Sequence, residues 1–366
     1  MVIDEDLRSA LRAAAAKAMG PEIDVRCLEL LRDVGVFRTF VTAELGGTGA
    51  DPAAAMNLIE ELAGLYGALG WLSFVGVCGG MFAVELPPTG AAEVYADPDA
   101  LVAYAGAEAG TLTRTAQGFL LSGRWEIVTG LSHAHWVGLG CRIAGEPDGS
   151  AVALVPADAC RVAYGWNPVG LVGTGTGSAT VAKVRLPEHR VVRRTGGAGR
   201  DWRSARYRFA LPSLMASVSI GLVQAALRET SSLLAAEPAV AGRGRRADSD
   251  HVQRLLGRGY AEVHAAHAFL REVTAETWRC MGLGQDPGIR HAALHRLAAT
   301  HAATVAAEVS SAIAGIAGTR GVTGSDVLCQ RWLDARTVAA NVTVRDLYYG
   351  VYGGVAACGT VPASWP

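Results

Sequence analysis

Residues 118–136 read GFLLSGRWEIVTGLSHAHW. After the glycine turn at Gly118, apolar and polar side chains alternate as they do along a β-strand. The alternation stops at Thr129-Gly130. Three later runs share the texture: WVGLGCRIAG from Trp136, SAVALVPAD from Ser150 and GSATVAKVRLPEH from Gly177, separated by Gly, Asp and Pro. Residues 104–195 are therefore expected to form a β-domain of short antiparallel strands, a barrel or a sandwich.

On either side the period becomes helical. In residues 1–103, Leu7, Leu11 and Ala14 fall at helix spacing, as do Leu28, Leu31 and Val34. Asp51-Pro52 opens a helix with Asp at the cap and Pro at the first position, continuing through Met56, Ile59 and Leu62. A very apolar helix from near Leu69 carries Trp71, Phe74, Val75, Cys78, Met81 and Phe82 and ends before Pro87-Pro88. Residues 204–366 return to helix, over about 210–236, 250–281 and 287–318 and again from near Ser325, with the loop PAVAGRGRRADSD after the first. The expected class is α+β, mainly α: an N-terminal helical domain (1–103), a middle β-domain (104–195) and a C-terminal four-helix bundle (204–366).

A chain of 366 residues has room for two or three structural units and a large core. Lys plus Arg number 33 against 34 Asp plus Glu, a net charge of −1, which argues against a general nucleic-acid binder. Apolar residues make up 50% and charged ones 18%, so much surface is buried, in an oligomer as well as in the core. Seven cysteines without a CxxC pair read as reduced cytosolic thiols, not as a disulfide framework or zinc site. The opening MVIDEDLRSALRAAAAKAM is charged and amphipathic, unlike a secretion signal. No uninterrupted run of eighteen apolar residues occurs, so no membrane span is expected. The expected setting is cytoplasmic, without membrane or nucleic-acid partner.

Residues 30–63, LLRDVGVFRTFVTAELGGTGADPAAAMNLIEELA, resemble an acyl-CoA dehydrogenase superfamily segment in which a Gly-Gly-x-Gly turn leads into a helix; Glu44, Gly46, Gly47 and Gly49 match. Residues 123–136 resemble that superfamily's flavin-contacting strand, and residues 166–191 its β-domain ending. HVQRLL at 251–256 and CQRWLDAR at 329–336 resemble its bundle motifs. Within the superfamily, Gly123, Trp125, Thr129, Gly130, Ala134 and Trp136 are similar to the two-component flavin-dependent monooxygenase branch, which has Gly-x-Trp-x-Phe-x-Ser-Gly and a following Ala-x-Trp. The resemblance implies an acyl-CoA dehydrogenase-like fold. It also implies FAD or FMN supplied reduced by a separate flavin reductase, a small organic substrate and a homo-oligomer, usually a tetramer.

The site residues follow from the same resemblance. A strand offers a flavin edge its backbone N–H groups and, at Thr129-Gly130, a hydroxyl. Trp125 either walls the flavin or packs the β-core. Arg243, Arg245 and Arg246 form either a solvated loop or a contact for a dinucleotide pyrophosphate, which suits the guanidinium fork. Gln253 matches a family glutamine. Arg331 and Asp334 match an Arg-x-x-Asp element that makes an ion pair or contacts ligand. Trp71, Met81, Phe82, Tyr104, Tyr348 and Tyr352, with Tyr349, line an apolar substrate pocket or pack the bundle.

The acid–base groups depart from the family. The C-terminal candidate stretch YYGVYGGVAA (348–357) has no Glu, and the bundle position before Arg208 is Tyr207. The apolar-helix histidine of the monooxygenase branch is absent from VGVCGGMFA, and Asn341 stands where its second histidine is expected. Asn341 and Glu108 remain as catalytic candidates. His133 and His135 share one face if they lie on a strand, but no third metal ligand is evident. His291 and His295 share a helix face without HExxH and read as packed or solvated. The glycine cluster GLVGTGTGS (170–178) lacks GK[ST] and lies between strands, so it reads as a turn and not a phosphate loop.

Three functions stay open on this reading. The first is a monooxygenase using reduced flavin and O2 to oxidise a small organic substrate in a specialised pathway. The second is an FAD-dependent dehydrogenase of acyl-CoA or acyl-carrier-protein thioesters with Glu108 as base. The third is a non-catalytic partner subunit of a homologous flavoenzyme.

Overall fold

The computed structural model describes residues 3–15, 23–194, 201–239 and 244–361. Contacts gather into two compact units. The first holds residues up to 51, 72–167 and 172–209; the second holds 52–71, 168–171 and 210 onward.

The first unit is built on one seven-stranded sheet in the order β5-β6-β2-β1-β3-β4-β7. The strands are β1 (Val102–Thr115), β2 (Gly118–Val128), β3 (Trp136–Ile143), β4 (Ser150–Pro156), β5 (Arg161–Ala163), β6 (Gly177–Leu186) and β7 (Val191–Arg194). All pairs are antiparallel except β1 with β3, which run parallel. The sheet is therefore mixed, and β1 is far from short. Alternation identifies a strand but carries no information about the direction of its non-local partner.

Trp125 organises the sheet. It is 1% exposed, and its indole N–H donates to the carbonyls of Gly140 at 2.9 Å and Ala107 at 3.2 Å. The β1–β3 register breaks between Ala105 and Gly110, which frees the Ala107 carbonyl for that bond. A Cβ at Gly110 would lie 2.3 Å from the indole and one at Gly123 2.7 Å from it, so the ring fits only because both residues lack one. The helices of this unit are α1 (Glu5–Ala15), α2 (Val25–Asp33), α5 (Phe82–Glu85), α6 (Pro88–Val94) and α7 (Trp202–Phe209), together with the C-terminal part of α4 (Gly67–Gly79).

The second unit contains α3 (Pro52–Leu65), α8 (Leu211–Ala236), α9 (Asp250–Gly282), α10 (Gly288–Ala317), α11 (Val327–Ala339) and α12 (Leu347–Cys358). The Asp51-Pro52 helix start is where the cap signal put it. The last helix, expected to run on from Ser325, instead breaks after Ala339, and α12 forms a further helix packed on α10. The bundle interior is alanine-rich: Ala298, Ala299, Ala302, Ala303 and Ala306 of α10 are all 0% exposed. Small faces bring backbones together. A Cβ on Gly221 of α8 would lie 2.2 Å from the Glu60 carbonyl oxygen of α3.

Two buried polar groupings in this unit are well paired. Arg331 donates to Glu229 at 2.7 and 2.9 Å and to the Gly64 carbonyl at 2.8 Å. Ser213, Thr274 and His295 form a buried chain, with Ser213 Oγ 2.7 Å from both Thr274 Oγ1 and His295 Nε2. Burial drives the His295 imidazole down to about 3, so it is neutral.

Three helical stretches, Gly67–Glu85, Trp202–Ala236 and Gly288–Val322, are long and apolar enough to cross a bilayer by length and composition. A few interspersed polar residues keep each of them from being an uninterrupted apolar run. Their most apolar windows are 94%, 89% and 56% buried within the protein.

Candidate functional site

The end of β2 and the loop before β6 meet in the first unit. Gly130, in the left-handed region at φ 76°, donates its N–H to the Thr174 carbonyl at 3.0 Å. Ser132 N–H donates to the Gly175 carbonyl at 3.2 Å. Thr174 Oγ1 is 2.9 Å from Thr176 Oγ1, which in turn reaches Thr129 Oγ1 at 3.4 Å. Three hydroxyls thus form a chain along one edge. Gly175, at φ 57°, is required twice over: a Cβ there would also fall 1.9 Å from Ser132 Oγ and 3.1 Å from the His133 ring. Leu72, Val75 and Leu101 surround Gly130 and supply apolar cover.

One hydroxyl at this edge is left over. Ser132 Oγ is buried and finds no hydrogen-bond partner among the described residues. A buried hydroxyl without a partner costs about 1–3 kcal/mol, so Ser132 Oγ has hydrogen-bonding capacity that a ligand group could use. A flavin's pyrimidine edge, with alternating acceptors and an N–H, fits this run of hydroxyls. Thr129, Gly130 and Ser132 are the residues that would hold it.

The expected site residues fare differently. Thr129 and Gly130 lie at this edge. Trp125 belongs to the sheet core and, at 1% exposed, offers no free ring face, a correction to its role as flavin wall. Arg331 is likewise structural: buried at 4%, it is engaged by Glu229 and not by Asp334. Asp334 accepts the Leu171 N–H at 2.6 Å, and burial raises its carboxyl to about 6. Arg243 lies outside the described residues. Arg245 donates to the Ala235 carbonyl and Arg246 pairs with Glu237, while exposed Gln253 donates to the Ala247 carbonyl.

Of the pocket residues, Phe82 and Tyr104 touch edge to face with centroids 5.5 Å apart. Met81 and Phe82 are 1% and 0% exposed, so they pack in the core instead of lining a pocket. Tyr348 and Tyr352 belong to the cluster of Ala293, Val351 and Val355 between α10 and α12. Trp71, on α4, is 7% exposed and belongs to the second unit.

Neither catalytic candidate is placed as an acid or base. Glu108 is held by Arg142 at 3.2 Å and accepts from Ser150 Oγ. Asn341 follows α11 and closes a turn, its Oδ1 accepting the Thr343 N–H at 2.9 Å. His133 lies in a single 3₁₀ turn (Leu131–His133) and His135 follows it, so the two do not share a strand face. The sequence reading missed Ser132, Thr174 and Thr176. The glycine cluster it judged to be a turn is one, and its threonines were the available signal.

Residues 213–345 match the family described as acyl-CoA dehydrogenase, C-terminal domain. The chain is 29% identical over 324 residues to an indole-3-acetate monooxygenase of Pseudomonas putida, covering 86% of this chain and 82% of that protein. It is 23% identical over 359 residues to the oxygenase component of an FADH(2)-dependent resorcinol hydroxylase of Rhizobium sp. (strain MTP-10005), covering 91% and 87%. Among solved structures, XiaF from Streptomyces sp., in complex with FADH2 and glycerol, superposes with a TM-score of 0.89 at 22% identity, over 98% of this chain and 95% of that one.

Proposed function

We propose that this chain, a member of the acyl-CoA dehydrogenase superfamily in its flavin-dependent monooxygenase branch, is the oxygenase component of a two-component system that hydroxylates a small aromatic substrate. One observation carries the reading: the hydroxyl edge of Thr129, Thr174 and Thr176 beside Ser132 Oγ, which has no partner among the described residues, under apolar cover. The proteins named above, an indole-3-acetate monooxygenase and a resorcinol hydroxylase oxygenase component, support an aromatic substrate. Bound reduced flavin supplies the electrons with which O2 is activated. The chain's own residues hold and shelter it. Thr129 and Ser132 orient its polar edge. Leu72, Val75 and Leu101 exclude water around Gly130, which limits loss of the activated oxygen as hydrogen peroxide before it reaches the substrate.

A flavin reductase partner, a homo-oligomer and a cytoplasmic setting belong to the same proposal. The apolar stretch Gly288–Val322 is 56% buried within one chain, which supports its further burial against another copy. All seven cysteines are unpaired, as a reducing compartment requires.

The test is an ¹⁸O₂ reaction. Photoreduced FAD or FMN is mixed with the full chain and a panel of indoles, phenols and aromatic acids, and products are read by mass. One ¹⁸O atom in a hydroxylated product is expected. Failure to bind reduced flavin, or flavin reoxidation without labelled product across the panel, sinks the reading.

A further inference from the structure

Four polar side chains from separate elements converge in the first unit: Glu85 of α5, Tyr104 of β1, Arg194 at the end of β7 and Arg208 of α7. The Glu85 side chain is 4% exposed and accepts from Arg208 Nε at 2.9 Å and from Nη2 at 2.5 Å. That pair is self-contained. Arg194 differs. Its Nη2 donates to the Tyr104 hydroxyl, and its guanidinium carbon lies 5.9 Å from the centroid of the Tyr104 ring. Its Nε is buried and has no acceptor among the described residues.

The charge count is unequal, two guanidinium groups against one carboxylate. Burial raises both Glu85 and Tyr104, and the fields of Arg194 and Arg208 act on both in the opposite direction. The four groups therefore act on one another electrostatically, with Glu85 the most buried of them. Arg208 is matched by Glu85, and Arg194 is not matched by a carboxylate among the hydrogen bonds of these four groups. The Tyr104 hydroxyl accepts from Arg194 and keeps its own proton to donate. Together they present what a carboxylate needs: a guanidinium fork and an O–H. Behind Tyr104 stands Phe82, packed edge-on at 5.5 Å, so an aromatic ring attached to that carboxylate would meet a braced aromatic wall.

We propose that Arg194 and Tyr104 form the anion-recognising corner of the substrate site, and that the substrate is an aromatic compound bearing a carboxylate. This rests on the oxygenase reading and names its substrate class. The partly exposed Arg194 is the ligand-facing member, and the Glu85–Arg208 pair holds the corner in place.

Calorimetric titration of the full chain with FAD present tests it without turnover. The probes are indole-3-acetate and its uncharged amide, indole-3-acetamide. The acid is expected to bind roughly 10- to 100-fold more tightly than the amide, the range of one charge-assisted bond. Arg194→Gln should reduce that preference to within about 3-fold, and Arg194→Lys should restore part of it. Tyr104→Phe, which keeps the ring, should weaken the acid by about 3- to 10-fold and leave the amide alone. Equal affinity for acid and amide in the unaltered protein, including no measurable binding of either, overturns the proposal. So does an Arg194→Gln variant that weakens both probes alike, since that is the mark of a structural role. Failure of the oxygenase reading shows separately, as absent flavin binding or absent ¹⁸O transfer.

Discussion

Ser132 shows how a single atom can argue for a ligand. Its hydroxyl is buried with no partner among the described residues, so the free protein carries a cost that flavin would remove. Ser132→Ala should therefore act in opposite directions on two measurements. The flavin-free protein should gain about 1 kcal/mol in urea unfolding, because a desolvated hydroxyl is deleted. Affinity for reduced flavin, titrated anaerobically, should fall by about 10-fold, the equivalent of one hydrogen bond. A variant that loses stability and keeps its flavin affinity would place the hydroxyl in the scaffold. Single residues were unevenly legible. Thr129-Gly130 stood at the end of an alternating run, where any change of period draws attention. Ser132 sits in a turn whose residues repeat nothing. Glu85, Tyr104, Arg194 and Arg208 come from four elements, and no local pattern brings them together.

At the level of elements, periodicity found most helices and strands because each buries one face, while their partners and breaks were less legible. The parallel β1–β3 pair was missed because β2 follows β1 in the chain and occupies its other side. The break between α11 and α12 was missed because residues 340–346, ANVTVRD, contain neither Gly nor Pro. Glycine content in the helices has a clearer meaning in the structure than in the sequence. Gly221 and Gly257 are both helical, and by propensity alone Ala should stabilise each by up to about 1 kcal/mol. Their surroundings differ. A Cβ on Gly221 meets the backbone of Glu60 at 2.2 and 2.9 Å, whereas one on Gly257 meets nothing within 4 Å. Backbone cannot swing aside as a side chain can. Gly257→Ala should raise the urea midpoint, and Gly221→Ala should cost at least about 2 kcal/mol through forced separation of α3 and α8. Equal shifts in the two variants would show that α8 can move away from α3 without loss.

For the molecule as a whole, two buried groups of the second unit set opposing responses to acid. His295 is neutral when folded, with its imidazole down at about 3, because burial disfavours its cation. Unfolded, it takes up a proton near 6.5, so acidification below that value costs stability down to about pH 3. Asp334 is displaced the other way. Burial raises its carboxyl to about 6, offset in part by the Leu171 N–H and by Arg331. Unfolded, it ionises near 3.9, so folding binds a proton and acidification from about 6 to about 4 adds stability. Each response has a slope of about 1.4 kcal/mol per pH unit, and over about pH 4–6 they cancel. Below about 4 the Asp334 gain is complete and the His295 loss continues, so acid unfolding should set in there. Asp334→Asn keeps an acceptor for Leu171 and removes one slope; its stability should fall by up to about 3 kcal/mol between pH 6 and 4 relative to the unaltered protein. His295→Gln removes the other and should rise by a similar amount over the same interval. The double variant should again be flat. Urea unfolding followed by circular dichroism at half-unit pH steps reads all four proteins. Identical pH slopes in the two single variants would mean that neither buried group governs the acid response.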